Sequence, residues 1–178
     1  MPSRIAAFGV IIGLLAALNW TDVTAQQPPC SLLTSSDIEV ATGAKPGDPH
    51  PIDLSASGSP TKRQTVPICM WTDAAQQGQL SLSLGPLPPG MSAETIAKKN
   101  AGMDALRDAH YTEEEKSFGN SWCSIMTPPA SKKDGLIMSS CSGGAKGMVV
   151  SLAYTSPTKK ISIDKMKALL DKAIGRLR

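Results

Sequence analysis

The chain has 178 residues, of which 41% are hydrophobic, 19% charged and only 4% aromatic, with a formal charge of +3. That size and balance fit one soluble globular domain, and so mild a charge excludes the strong basic field of a nucleic-acid binder. Four cysteines leave two disulfides or one metal site open, while 15 glycines and 14 prolines fall short of a low-complexity chain.

Arg4 opens the chain with a positive charge, and Ile5 to Leu18 is an unbroken apolar run. Fourteen residues at helical rise reach about 21 Å, short of a membrane's hydrocarbon core. Polar residues follow, and Val23-Thr24-Ala25 fits the small-x-small rule for a signal-peptidase cut. The expectation is a signal peptide over 1–25 and a single exported domain over 26–178, periplasmic or secreted, with nothing transmembrane after cleavage. Five aromatic residues then remain: Trp71, Tyr111, Phe118, Trp122 and Tyr154. The core must come mostly from aliphatic side chains and methionine.

A short helix is predicted after Cys30, capped by Ser36 with Glu39 three residues on, and closed by Gly43 before Pro46. Residues 44–64 are rich in Pro, Gly, Ser and Asp and read as a long surface loop. Residues 65–72 read as a strand, with Pro67 marking either an edge or the strand's beginning. Asp73 to Gly78 reads as a turn. Leu80, Leu82 and Leu84 alternate with polar residues over 79–85, the pattern of a half-buried strand. Ser92 then caps a predicted helix reaching about Asp108, with Ile96, Met103 and Leu106 on one face.

Residues 117–126 and 136–142 read as further strands, and Glu113 to Glu115 as a solvated turn before them. Gly143 to Gly147 reads as a hairpin turn leading into the β-branched run from Met148 to Tyr154. Ser162 caps a closing helix that buries Ile163, Met166, Leu170, Ala173, Ile174 and Leu177 and sets Lys165, Lys167, Lys172 and Arg176 toward water. Both halves share the order of Cys-bearing strand, further strand, Pro-containing loop and Ser-capped helix, which suggests an internal duplication.

In an oxidising compartment four cysteines favour two disulfides. A hairpin centred on Lys132 sets Cys123 opposite Cys141, within bridging distance. Cys30 then pairs with Cys69, closing a long loop and stabilising the fold by about 3 to 4 kcal/mol. The wide cysteine spacing fits no zinc motif, and no C-x-x-C redox pair is present.

His50 lies in the loop as Asp48-Pro49-His50-Pro51, and His110 ends the second helix, where a cation complements the helix dipole. No G-x-S-x-G elbow accompanies them. The same hairpin register sets Met126 opposite Met138 on the face away from the disulfide, an arrangement that serves core packing better than copper. The glycine segment before Met148 lacks the order and the helix that a phosphate loop requires. The basic residues of the closing helix and its approach (Lys159, Lys160, Lys165, Lys167, Lys172, Arg176, Arg178) suit a solvated face, an acidic partner or an anionic surface.

Cys30-Ser31-Leu32-Leu33-Thr34 with its short capped helix, Cys69-Met70-Trp71 and the alternating strand after it resemble a family of small exported bacterial lipoproteins of unknown function. The resemblance covers the first half and the closing helix. It implies a twisted antiparallel sheet with helices on one face, and it implies no chemistry. Its lipobox is missing here, since Cys30 does not directly follow the apolar run, so a lipid tether is not implied. The sequence therefore points to an α+β domain with a twisted antiparallel sheet, two longer helices on one face and disulfides Cys30–Cys69 and Cys123–Cys141. No catalytic, cofactor or metal residue is assigned. The expected role is a non-enzymatic binding or interaction module whose partner is an envelope protein or small ligand. An exported hydrolase with its site near His50 is the alternative.

Overall fold

The computed structural model describes residues 27–178 apart from 53–66, 74, 76, 100 and 133. The expected signal segment and most of the 44–64 loop lie outside the described residues. Among the described residues no helix is long and apolar enough to cross a membrane.

Seven strands form one antiparallel sheet in the order β1-β2-β3-β7-β6-β5-β4. They are β1 (His50–Ile52), β2 (Ile68–Thr72), β3 (Gln79–Pro86), β4 (Thr112–Ser117), β5 (Ser121–Thr127), β6 (Ile137–Ala145) and β7 (Met148–Ser156). Four helices complete the α+β fold: α1 (Ser35–Thr42), α2 (Ala93–Lys98), α3 (Ala101–Asp108) and α4 (Ile163–Gly175).

The main core is assembled by alternation. Leu80, Leu82 and Leu84 of β3 pair with Tyr154, Leu152 and Val150 of β7, all buried on one face of the sheet. Cys69 and Trp71 extend that face across β2, and Cys141, Cys123 and Ile125 extend it across β6 and β5. Over it lies α4, whose Met166, Leu169, Leu170 and Ala173 are buried, with α1 beside it. Burying each such leucine contributes about 1.5 to 3 kcal/mol.

Both disulfides are formed as expected. Cys123 stands directly opposite Cys141, with Cα atoms 4.0 Å apart. Cys30 and Cys69 are bridged with Cα atoms 5.1 Å apart, fastening a 3-10 turn at Pro29–Ser31 to β2. The register also sets Met126 opposite Met138 on the far face.

Several local expectations are corrected. The cap of α1 is Thr34, two residues before Ser36: its hydroxyl accepts from Asp37 N–H, and the Asp37 carboxylate accepts from Thr34 N–H in return. With that start, buried Leu33 and Ile38 take the two positions that staple a helix entrance, whereas a cap at Ser36 would have given the second position to exposed Val40. Part of the predicted 44–64 loop is strand β1, the outermost of the sheet. It tolerates Pro51 because an outer strand leaves one row of N–H groups unused. Pro67 lies just before β2, and β1 covers the strand it introduces.

Glu113 to Glu115 form the middle of β4, the opposite outermost strand, instead of a turn. Glutamate is a poor strand former, but each of the three finds a donor here. Glu113 accepts from Arg107 at 2.9 and 3.1 Å, Glu114 pairs with Lys160 at 2.6 Å, and Glu115 accepts from the Trp122 indole at 3.0 Å. The predicted strand over 117–126 is accordingly split by a turn through Gly119.

Gly143 and Gly144 lie within β6, and the turn falls at the far end of the segment, at Lys146-Gly147, both with positive φ. Gly143 is where α4 comes closest: a methyl there would stand 2.9 Å from Ile174 and 3.0 Å from Leu170. The predicted helix from Ser92 to Asp108 breaks after Lys98, in a sequence that holds two poor helix formers, Asn100 and Gly102.

The helices also divide between two faces. While α4 covers the main core, Ala97, Met103 and Leu106 of α2 and α3 pack on the other face against Trp122, Met126 and Met138. β5 is therefore buried on both sides. A repeat with both helices on one face does not describe this arrangement.

Candidate functional site

The two histidines are not brought together. His50 is exposed on β1, and exposed His110 turns the chain from α3 into β4 with a φ of 60°. Those strands are the opposite limits of a seven-strand sheet, about 29 Å apart at standard strand spacing. Among the described residues neither histidine hydrogen-bonds a carboxylate or a hydroxyl. The serines of the second face bond each other across strands: buried Ser124 with half-buried Ser140 at 3.1 Å, and buried Ser142 donating to half-buried Ser151 at 2.9 Å. No serine–histidine pair is assembled among the described residues.

The basic face of α4 is largely consumed within the fold. Lys160 pairs with Glu114 and Lys167 with Asp171, both at 2.6 Å. Lys172 and Arg176, expected to face water, reach back to Asp37 of α1 at 2.8 and 2.6 Å, and Arg176 also donates to the Leu32 carbonyl at 2.9 Å. Asp37 is buried. Burial alone would raise its pKa, but hydrogen bonds from Arg176, Lys172 and Thr34 overcome that and hold the carboxyl well below the usual carboxylate range. Lys146 is also engaged, donating to the Leu177 carbonyl at 2.7 Å.

A different group of residues converges at the end of β2, β3 and β7 where the chain enters β3. Asp73 follows β2 and closes a turn in which its N–H donates to the Gly78 carbonyl at 3.0 Å. One carboxylate oxygen, Oδ1, accepts from the Gln77 N–H at 2.8 Å. A bridge between Pro46 and Asp73 brings Lys45 alongside. Across from them, Ser156 at the end of β7 accepts from the N–H groups of Thr158 and Lys159 at 3.4 and 3.1 Å, which fixes the loop carrying Lys159.

Between these walls lies a solvent-open cleft of about 260 Å³, bordered by Lys45, Asp73, Gln77, Tyr154, Ser156 and Lys159. At its floor stands Tyr154, only 2% exposed. Its hydroxyl is the buried side-chain oxygen, among the described residues, that lacks a hydrogen-bond partner. Ser156 stands near it outside hydrogen-bond geometry; its oxygen accepts from the loop N–H groups, and its own O–H is left over on the side of the phenol. Gly78 makes room for the ring, since a methyl group there would overlap the hydroxyl and press on Asp73 Oδ2 at 2.9 Å. Burial raises the Tyr154 pKa, the Ser156 hydroxyl opposes that, and the Asp73 carboxylate adds to it. At neutral pH the phenol is a protonated donor.

Sequence patterns carried little notice of this cleft. Lys45 belonged to a loop, Asp73 and Gly78 to a turn, and Tyr154 to a hydrophobic strand. The one signal was Gly78 at the mouth of the alternating strand, which marks a close approach once the partner is known.

No family model matches the sequence, and no curated protein matches it. Among solved structures, the fold is similar to that of the extracellular domain of PknH from Mycobacterium tuberculosis. The TM-score is 0.49 and the identity 12%, over 82% of this chain and 92% of that one.

Proposed function

We propose that the chain is an exported binding module of the cell envelope that receives a small polar ligand in the Tyr154 cleft. The observation that carries this reading is the convergence of an unpartnered buried hydroxyl with Lys45, Lys159 and Asp73, none of which is in an ion pair among the described residues. Buried polar groups are ordinarily satisfied, and an unsatisfied one directly beneath an open cleft points to a ligand there. Export is supported by the N-terminal apolar run and by two disulfides, which persist in oxidising compartments. The resemblance to small exported lipoproteins points to the same compartment. A binding role is favoured over hydrolysis because His50 and His110 stand at opposite limits of the sheet.

The test has two parts. The full chain expressed in a bacterium is fractionated, and the product is weighed before and after alkylation without reductant; a shortened chain with four paired cysteines is expected. The exported protein is then screened by thermal shift against polar small molecules, in wild type and Lys159→Gln. A compound that raises Tm in wild type and not in the variant supports the cleft, and one that stabilises both equally counts against it.

A further inference from the structure

We infer that the Tyr154 cleft takes a free α-amino acid, its carboxylate held by Lys45, Lys159 and the Tyr154 hydroxyl and its ammonium by Asp73. This deepens the binding reading above and rests on it.

The reasoning begins with charge. Lys45 and Lys159 bring two cations to the cleft and Asp73 one anion, while the Ser156 oxygen accepts from the loop N–H groups and Gln77 supplies its N–H to Asp73 Oδ1. An anion alone would meet two lysines but also the Asp73 carboxylate. A cation alone would meet Asp73 but also two lysines. Only a molecule bearing both charges close together leaves every group with a complementary partner. In a free α-amino acid the two charges sit on adjacent positions of one small skeleton, whereas a peptide separates them.

Geometry agrees at each wall. Asp73 and Tyr154 both border the cleft, and Asp73 Oδ2 and the Tyr154 hydroxyl lie together beside Gly78 at its edge, so the anionic acceptor and the phenolic donor are neighbours. The phenol can only donate to a ligand oxygen while it stays protonated, and burial keeps it so. The Lys159 ammonium stands within 3.5 Å of the space beside Gly43, at the C-terminal end of α1. It is in no ion pair among the described residues, and an ammonium has three donors to share. At about 260 Å³ the cleft lies just under the usual range for drug-sized ligands, which suits a small amino acid.

The exported, disulfide-intact protein is labelled with 15N and titrated with glycine, L-alanine and L-serine, and in parallel with acetate, methylammonium and inorganic phosphate. The amino acids are expected to shift the amide signals of Asp73, Gly78, Tyr154 and Lys159 saturably, with affinity at least about tenfold above acetate or methylammonium. Tyr154→Phe is expected to weaken amino-acid binding about tenfold with no fall in Tm, which separates lost binding from lost folding. Asp73→Asn is expected to abolish the preference for an amino acid over acetate, and Lys159→Gln to weaken both. Acetate or phosphate binding there as tightly as the amino acids overturns the zwitterion while leaving a binding cleft. The zwitterion is overturned in the same way if the amino acids leave these signals unmoved while another compound shifts them. If nothing in the panel or the wider screen moves them, both the inference and the binding reading fall.

Discussion

Asp37 of α1 and Asp73 at the end of β2 each stand with two cationic residues, and they could hardly be used more differently. Asp37 is buried and satisfied by Thr34, Lys172 and Arg176, and it joins the first helix to the last across 139 residues of sequence. Asp73 is half-exposed, spends one oxygen on its own turn, and shares an open cleft with Lys45 and Lys159 without an ion pair to either among the described residues. The same residue types form a clasp where geometry lets them touch and line an open cleft where the backbone holds them apart.

The largest effect should come from breaking the clasp. Asp37→Ala removes a reciprocal cap and charge-assisted hydrogen bonds, and an expected loss of about 2 to 3 kcal/mol is read from urea unfolding. Its pH dependence has a definite sign. The folded carboxyl titrates below its unfolded value, so its stabilisation is complete above about pH 4 and declines as the pH falls through the folded value. Unfolding curves collected downward from pH 5 should therefore show a steeper acid decline in wild type than in Asp37→Ala. Equal slopes would show that the clasp does not stabilise the fold.

Next comes Gly78→Ala, which forces the Tyr154 hydroxyl and Asp73 apart and is expected to cost about 1 to 3 kcal/mol. A Tm unchanged from wild type would show that the ring is not held where the cleft requires it. Tyr154→Phe should be neutral or stabilising by up to about 1 kcal/mol, since it deletes a buried hydroxyl that no described protein group satisfies. A clear destabilisation would reveal a partner for that hydroxyl within the protein. The smallest change is expected for Asp73→Asn, within about 0.5 kcal/mol in the unliganded protein, because its environment is half-exposed and unpaired among the described residues. A loss approaching that of Asp37→Ala would make it a second clasp.

What could be read from the sequence was local or had an arithmetic register. The Leu80-Leu82-Leu84 alternation specified a buried strand face, and the hairpin about Lys132 specified both the Cys123–Cys141 bridge and the Met126–Met138 opposition. The closing helix followed its own period from Ile163 to Ala173. Features that depend on a distant partner were not legible. Four consecutive cap-forming residues begin at Thr34, and it is Lys172 and Arg176, far along the chain, that make Asp37 and hence Thr34 the preferred start. The glutamates of β4 are poor strand formers until Arg107, Lys160 and Trp122 supply their partners. The cleft gathers residues 45, 73, 154 and 159, whose meeting is set by strand order and by nothing in their immediate neighbours.

The split of the helices between two faces has an optical consequence. Trp71 sits in the cluster under α4, and Trp122 sits in the cluster under α2 and α3, its indole donating to Glu115 beneath the Lys98 ammonium. Trp71→Phe and Trp122→Phe would each leave, within residues 27–178, a single indole whose emission follows one side of the sheet. Because β5 and β6 contribute to both clusters, the two emissions should change at the same denaturant concentration. The protein thus carries its own paired dyes for asking whether its two halves melt as one.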